Sequence, residues 1–222
     1  SKKYLLNLKR QKMKHFIKTS LLLLAITMPL AAMAYDFEVE GICYKTDLWG
    51  DYATVSDWGE DGSHYTGIVT IPENVTNDDT TYPVQKIGAY AFAECPELTG
   101  VIIPNSITEI ENHAFENCSG LTNLTIPETV TTIGARAFAS CTGITSIDIP
   151  ASITTFGIWA FLNCDNLKNV YLHISDPEAI GGWAFSLDSE EYANRTLHVP
   201  AGCANAFKES ELAEYFDNIV EM

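Results

Sequence analysis

The chain has 222 residues, 46 % of them apolar, with 13 Lys and Arg against 29 Asp and Glu. That is enough apolar material for one packed domain or a short repeat array, and too much for a disordered chain. The charge is segregated, because seven basic residues (Lys2, Lys3, Lys9, Arg10, Lys12, Lys14, Lys18) precede Tyr35 and every acidic residue follows Ala34, leaving 6 basic against 29 acidic residues, a formal −23, over 35–222. A body of that sign repels phosphate backbones and anionic headgroups, which excludes nucleic acid and an acidic bilayer surface as partners.

Residues 1–34 read as a leader and signal peptide. Lys12, Lys14 and Lys18 form a positive region, Leu21–Leu30 is apolar, and Ala32-Met33-Ala34 places small residues at the cleavage positions. Cleavage is expected before Tyr35, giving a secreted or cell-surface chain with no transmembrane anchor. Phe16–Ala34 is long enough to attempt a span, but Pro29 and the small-residue exit favour cleavage. Met13 is the expected start, since signal peptides seldom carry a leader such as residues 1–12.

Residues 35–66 are expected to form an N-terminal β cap. They hold Tyr44, Trp49, Tyr52, Trp58 and Tyr65 among Asp47, Asp51, Asp57, Glu60 and Asp61. Aromatics in such a segment fill a core that lacks repeats. The alternative is that Trp49 and Trp58 stack on a sugar. The run Asp57–Asp61 lacks the ordered ligand spacing of a calcium loop, so no metal is expected there.

From residue 67 to 200 a 23-residue period governs the chain. It separates Phe92, Phe115, Phe138 and Phe161; Ala91, Ala114, Ala137 and Ala160; Cys95, Cys118, Cys141 and Cys164; and Pro104, Pro127 and Pro150. Such self-similarity marks a repeat architecture. Within one unit Leu121, Leu124 and Ile126 suit a short half-buried strand, and Pro127, which cannot donate to a ladder, ends it. Val130 and Ile133 point inward, Gly134 supplies a bend, and Ala137, Phe138 and Cys141 share one face of a helical turn. One coil cannot bury this stripe alone, whereas stacked coils bury a continuous core with parallel strands about 4.8 Å apart.

Both ends of the array are degenerate, as capping requires. Upstream, Asn77-Asp-Asp79 lies in an insertion between Val75 and Val84 that reads as a hairpin. Downstream, His173 replaces the Pro and Asp188 the Cys, and residues 201–222 are expected to form a C-terminal cap.

The motif Ile-Pro-x-x-Ile/Val-Thr-x-Ile-Gly-x-x-Ala-Phe-x-x-Cys-x-x-Leu/Ile-Thr-x-Ile resembles the BspA-like leucine-rich repeats of bacterial surface and secreted proteins, with Glu111 and Phe156 as departures. The resemblance implies an α/β repeat fold: a short right-handed leucine-rich-repeat solenoid with parallel β on the concave face and short helical turns on the convex side. A β cap would close its N-terminus and a helical cap its C-terminus. It implies adhesion or protein binding outside the cell, and no catalysis.

The outward positions of the strands are the expected contact surface: Gly100, Ile102, Asn123, Thr125, Ser146, Asp148, Asn169, Tyr171, Thr196 and His198, with Tyr171 the one large anchor. The partner is expected to be a protein, the alternatives being a glycan at Trp49 and Trp58 or a spacer without a ligand. The repeat cysteines read as a column of buried thiols, since parallel stacking spreads them along a line rather than around a metal; a disulfide between adjacent coils is the other reading. His64, His113, His173 and His198 have no evident Ser or Cys nucleophile, and the chain carries no phosphate loop and no His-Glu-x-x-His. No enzyme activity and no cofactor are expected.

Overall fold

Apolar residues alternating with polar ones, interrupted by Pro and Gly every few residues, can build only short strands, and short strands are what the chain forms. The computed structural model describes residues 35–57, 65–180, 182–186 and 194–222; the expected leader and signal segment, Trp58 and His64 lie outside the described residues. In chain order the strands are β1 (Phe37–Val39), β2 (Ile42–Thr46), β3 (Ala53–Ser56), β4 (Gly67–Thr70), β5 (Asn74–Asn77), β6 (Thr80–Ile87), β7 (Leu98–Ile102), β8 (Glu109–Ile110), β9 (Asn123–Leu124), β10 (Thr132–Ile133), β11 (Ser146–Ile149), β12 (Thr155–Phe156), β13 (Asn169–Leu172), β14 (Thr196–Val199) and β15 (Asn218–Glu221). A five-residue helix, α1 (Ala204–Lys208), and a 3-10 turn at Glu211–Tyr215 precede β15. The array is thus a repeat of mostly parallel strands with few helices.

Each coil contributes to two parallel ladders. The Leu-x-x-Leu/Ile strands pair as β4-β7-β9 and as β11-β13-β14-β15. A second ladder, not expected from the sequence, runs β6-β8-β10-β12 through pairs ending in Ile87, Ile110, Ile133 and Phe156, extends in parallel to β3, and continues through β2 and β1, which pair antiparallel. Both ladders step by one repeat, pairing Ile147 with Val170 and Ile133 with Phe156. Threonine side chains reinforce the stacking: the hydroxyls of Thr108, Thr131 and Thr154 donate to the carbonyls of Gln85, Thr108 and Thr131 one coil earlier. The insertion is the expected hairpin, β5 against β6, with Asp78 and Asp79 both in the left-handed region that its two-residue turn demands.

The expected helical turn around Ala137, Phe138 and Cys141 does not form. Across residues 88–164 the segment after the second ladder is a run of tight turns with two left-handed residues per coil, Tyr90 and Glu94, His113 and Asn117, Arg136 and Ser140, Trp159 and Asn163. Left-handed backbone costs a non-glycine residue about 1–2 kcal/mol. What offsets it is the direction in which the amides point. Arg136, Phe138 and Ser140 donate to the carbonyls of Ile158, Ala160 and Leu162 in the next coil, and the other coils repeat this pattern. A helix would have turned these N–H groups inward along its own axis and left the coil-to-coil contact without hydrogen bonds. Among the described residues of the last unit, the turns of helical character are 3-10 turns at Pro177–Ala179 and Gly182–Phe185.

The glycine of the motif also has a different reason from the expected bend. Its φ is not in the left-handed region; a Cβ at Gly134 would lie 2.5 Å from the amide nitrogen of Asn112, and one at Gly157 would meet Ala135. Glycine here permits close approach of successive coils.

The core is a file of phenyl rings. Phe92, Phe115, Phe138, Phe161 and Phe185 are fully buried and stacked, with centroids 5.0, 5.2, 5.1 and 5.3 Å apart. Tyr65 covers the first ring and Phe216 meets the last edge-on. Removing a central ring leaves a cavity that stacked backbones cannot close. Phe138→Ala is therefore expected to destabilise the chain by about 3–5 kcal/mol in denaturant titration, against under about 1 kcal/mol for a surface change such as Thr154→Ser; equal effects would show that the ring column is not the core.

Candidate functional site

Alternation along β11, β13 and β14 buries Ile147, Ile149, Val170, Leu172, Leu197 and Val199 and turns the intervening residues outward. The parallel register then sorts the outward side chains into rows: Ser146, Asn169 and Thr196 in one, Asp148, Tyr171 and His198 in the next. Ser146 and Asp148 are exposed, while Asn169, Tyr171, Thr196 and His198 are half-buried. Asn123 and Thr125 are exposed too, but β9 belongs to the β4-β7-β9 ladder and does not pair with β11.

Three of the six are interlocked. The rings of Tyr171 and His198 stack with centroids 4.2 Å apart and planes 15° from parallel. His198 Nε2 lies 3.1 Å from Asn169 Oδ1, and His173 Nε2 lies 3.0 Å from Asp148 Oδ1. His173 and His198 therefore have separate partners. His173 is an addition to the expected surface; it stands where the repeat has Pro, just beyond the strand. At the N-terminal end the outward positions are apolar and exposed at Ile68 and Ile102, whereas Gly100 is buried beneath Asn123.

The remaining expected groups lie elsewhere. His113 bonds Glu116 at 2.7 Å and stacks on Tyr90; Glu116 also meets Arg136, which lies over the Trp159 ring. None of the described histidines contacts a Ser or Cys side chain in these pairs. Among the N-terminal aromatics, Tyr44 and Tyr65 are buried and fill the core, and Trp49 is exposed at the β2–β3 turn. Among the described residues no group of three or more His, Cys, Asp or Glu is disposed to hold a metal ion, and no helix is long and apolar enough to cross a membrane.

None of the six cysteines forms a disulfide. Three of the repeat thiols bond the backbone of the coil before: Cys118, Cys141 and Cys164 donate to the carbonyls of Phe92, Phe115 and Phe138 at 2.9, 3.0 and 3.1 Å. Each thiol thereby ties its coil to the preceding ring of the phenyl column. Where the Cys is lost after Cys164, the buried guanidinium of Arg195 donates to the carbonyls of Cys164 and Phe185. Burial raises the thiol pKa to about 11 at Cys95 and about 12 at Cys164, and well above the ordinary value at Cys141, where Cys118 adds to the effect.

A family model for the BspA type leucine rich repeat region matches residues 85–213 in six copies. A leucine-rich repeat protein from Bacteroides capillosus is 31 % identical, covering 62 % of this chain and 97 % of its own, with a TM-score of 0.53. The pneumococcal vaccine antigen PcpA is 19 % identical, covering 85 % of this chain and 46 % of its own, at a TM-score of 0.50. A leucine-rich repeat protein from Bacteroides ovatus is 23 % identical, covering 84 % of this chain and 55 % of its own, at 0.48. The chain thus spans about half the length of the last two. No curated protein sequence matches it.

Six thiols are expected to react after unfolding without reductant, and half-buried Cys203 ahead of the other five in the native chain; a lower total would reveal a disulfide. The raised thiol values also set a pH dependence. A group whose folded pKa lies above its unfolded value of about 8.5 contributes fully below that value, and its contribution is lost as pH rises through the folded pKa, by up to about 1.4 kcal/mol per pH unit per group. Burial shifts the Tyr44 and Tyr65 hydroxyls in the same direction. The melting temperature should fall between about pH 8 and about pH 11, and less steeply in Cys141→Ala. A flat profile would contradict buried protonated thiols.

Proposed function

The chain belongs to the BspA-type leucine-rich repeat family, and from that membership we propose that it is an exported protein-binding module of the bacterial cell surface that presents its outward strand face to a protein partner. In this reading the repeats over 67–200 form a right-handed solenoid, closed by an N-terminal β cap over 35–66 and a C-terminal cap over 201–222. The signal segment is removed before Tyr35, and the mature chain acts outside the cell in adhesion or partner capture.

One observation carries the reading: two fixed sets of outward side chains on neighbouring strands, Asn169, Tyr171 and His198 on β13 and β14, and Asp148 of β11 with His173 just after β13. The core needs none of these side chains, since the inward residues of the same strands are buried without them. Fixing them by stacking and hydrogen bonds before a partner arrives lowers the ordering cost of association, and tyrosine is a frequent binding hot spot. Ser146, Thr196 and, across the ladder break, Asn123 and Thr125 would form the polar rim. A catalytic reading has no such support, because Cys118, Cys141 and Cys164 are committed to backbone carbonyls and burial pushes the Cys141 thiol well above its ordinary value. The family is typically non-enzymatic.

The test is binding to an array of purified extracellular-matrix and cell-surface proteins. At least one is expected to bind, with Tyr171→Ala and His198→Ala each weakening it tenfold or more, about 1.4 kcal/mol, at an unchanged melting temperature. If nothing on the array binds, or both variants bind as the parent does, the strand-face reading fails and a spacer role takes its place.

A further inference from the structure

We propose that the outer edge of β15 receives an extended segment of a partner protein as an added strand of the β11-β13-β14-β15 sheet. The parallel ladder fixes which backbone groups face that edge. The N–H groups of Asn218 and Met222 donate to the carbonyls of Arg195 and Val199 at 3.1 and 2.9 Å. Orientation alternates along a strand, so Val220 also faces β14, and the N–H and C=O groups of Ile219 and Glu221 face away from it. Among the described residues β14 is the one strand that pairs with β15.

Sheet edges are ordinarily guarded by Lys or Pro, by a bulge, or by a charge that crowds an approaching strand. β15 has no Lys and no Pro, and it keeps register with β14 through four consecutive pairs. Its one charge, Glu221, is drawn back onto its own coil. The carboxylate accepts the Ala204 N–H at 3.3 Å at the start of α1. The amides of Gly202 and Ala204, with Lys208 beside them, hold its pKa below the ordinary value. Both faces of the edge leave room for a further strand. On the inner face Ile219 packs on the core yet stays half-buried, so the apolar interior is not closed there. On the outer face Val220 is 40 % exposed beside His198.

The free groups determine what can cover the edge. N–H and C=O groups that recur at every second residue are matched by an extended polypeptide, which offers the same groups at the same repeat. A helix has its backbone groups committed to itself, and a sugar offers no such repeat. Ile219 asks for an apolar residue against it, and the pleat then turns alternate side chains of the segment to the Val220 side. A second copy of this chain is opposed by charge. Edge-to-edge pairing would bring together two last coils that each carry Glu209, Glu211, Glu214, Asp217 and Glu221 against Lys208. The segment therefore comes from another protein, is uncharged or basic, and has apolar residues at alternate positions. The inference does not rest on the strand-face reading, because the Tyr171–His198 stack lies on β13 and β14 and the edge groups lie on β15.

The experiment selects short linear peptides from a display library on the full chain and follows amide hydrogen exchange by NMR. In the free chain the amides of Val220 and Met222 are expected to be protected, and those of Ile219 and Glu221 to exchange as exposed ones. Selected peptides should carry apolar residues at alternate positions and protect Ile219 and Glu221. Glu221→Pro removes an outward donor and sets a ring against the approaching strand without taking a bond from β14. It should weaken the peptides about tenfold or more. Thr154→Ala, on another coil, should bind them within about twofold of the parent. If Glu221→Pro loses its melting transition, the exchange result on the parent chain decides alone. The proposal is overturned if no peptide is selected, if bound peptide leaves Ile219 and Glu221 exchanging as before, or if a folded Glu221→Pro binds as the parent does. Protection of these two amides that rises with chain concentration in the absence of peptide would assign the edge to a second copy and overturn it as well.

Discussion

The whole structure depends on one repeated contact: a phenyl ring stacked on the ring of the coil before it while the backbone amide of the same residue reaches the coil after it. Ring spacings of 5.0–5.3 Å lie close to the separation of paired strands, so a column of identical rings and a ladder of parallel strands can share one axis. That coincidence works only if every coil returns to the same place, which is why the period is kept so strictly. The flanking residues serve the same contact. Alanine before each phenylalanine is buried where the turn passes closest to the core, and the cysteine after it donates to the carbonyl of the previous phenylalanine. Burial of these thiols follows from their structural role and leaves them poor nucleophiles.

From this arrangement the surface follows. The interior residues and the coil-to-coil hydrogen bonds take up one set of positions, so the outward side chains of the strands are free to vary without disturbing the fold. Variation is what they show. The row that reads Asp148, Tyr171, His198 continues as Val220 on β15, and the opposite end of the first ladder presents Ile68 and Ile102. A scaffold with an invariant inside and a variable outside suits recognition, where the site is grafted on the fold rather than dictated by it.

The sequence shows the parts of the fold that repeat and hides those with distant partners. Phenylalanine, alanine, cysteine and proline at a common step reveal the coil directly, and Asn77-Asp78-Asp79 between two β-prone runs reveals the hairpin. The turn at Ala137, Phe138 and Cys141 is misread as helical because the spacing fits one helical turn equally well, while the carbonyls that its amides seek lie in the following coil. The second ladder escapes notice because Thr132–Ile133 is too short for alternation to register. Arg195 shows no sign of its role, which is to donate to the Phe185 and Cys164 carbonyls beyond the end of the cysteine column. Of the candidate surface, Tyr171 and His198 are legible as outward residues of adjacent strands, but His173 is not, because it occupies a proline position. Trp49 looks like a core residue of an aromatic-rich segment, but the β2–β3 turn leaves it exposed.

The turns close on themselves through bonds such as Ala139 N–H to the Arg136 carbonyl, but the amides between those bonds are taken up by the neighbouring coil. Native-state amide hydrogen exchange at Phe115 and Phe138 tests this most directly, because these amides lie in tight turns yet donate to Ala137 and Ala160. Protection approaching that of the global unfolding free energy is expected at both. Exchange at the rate of an exposed turn would contradict it, and with it the stacking on which the strand face depends.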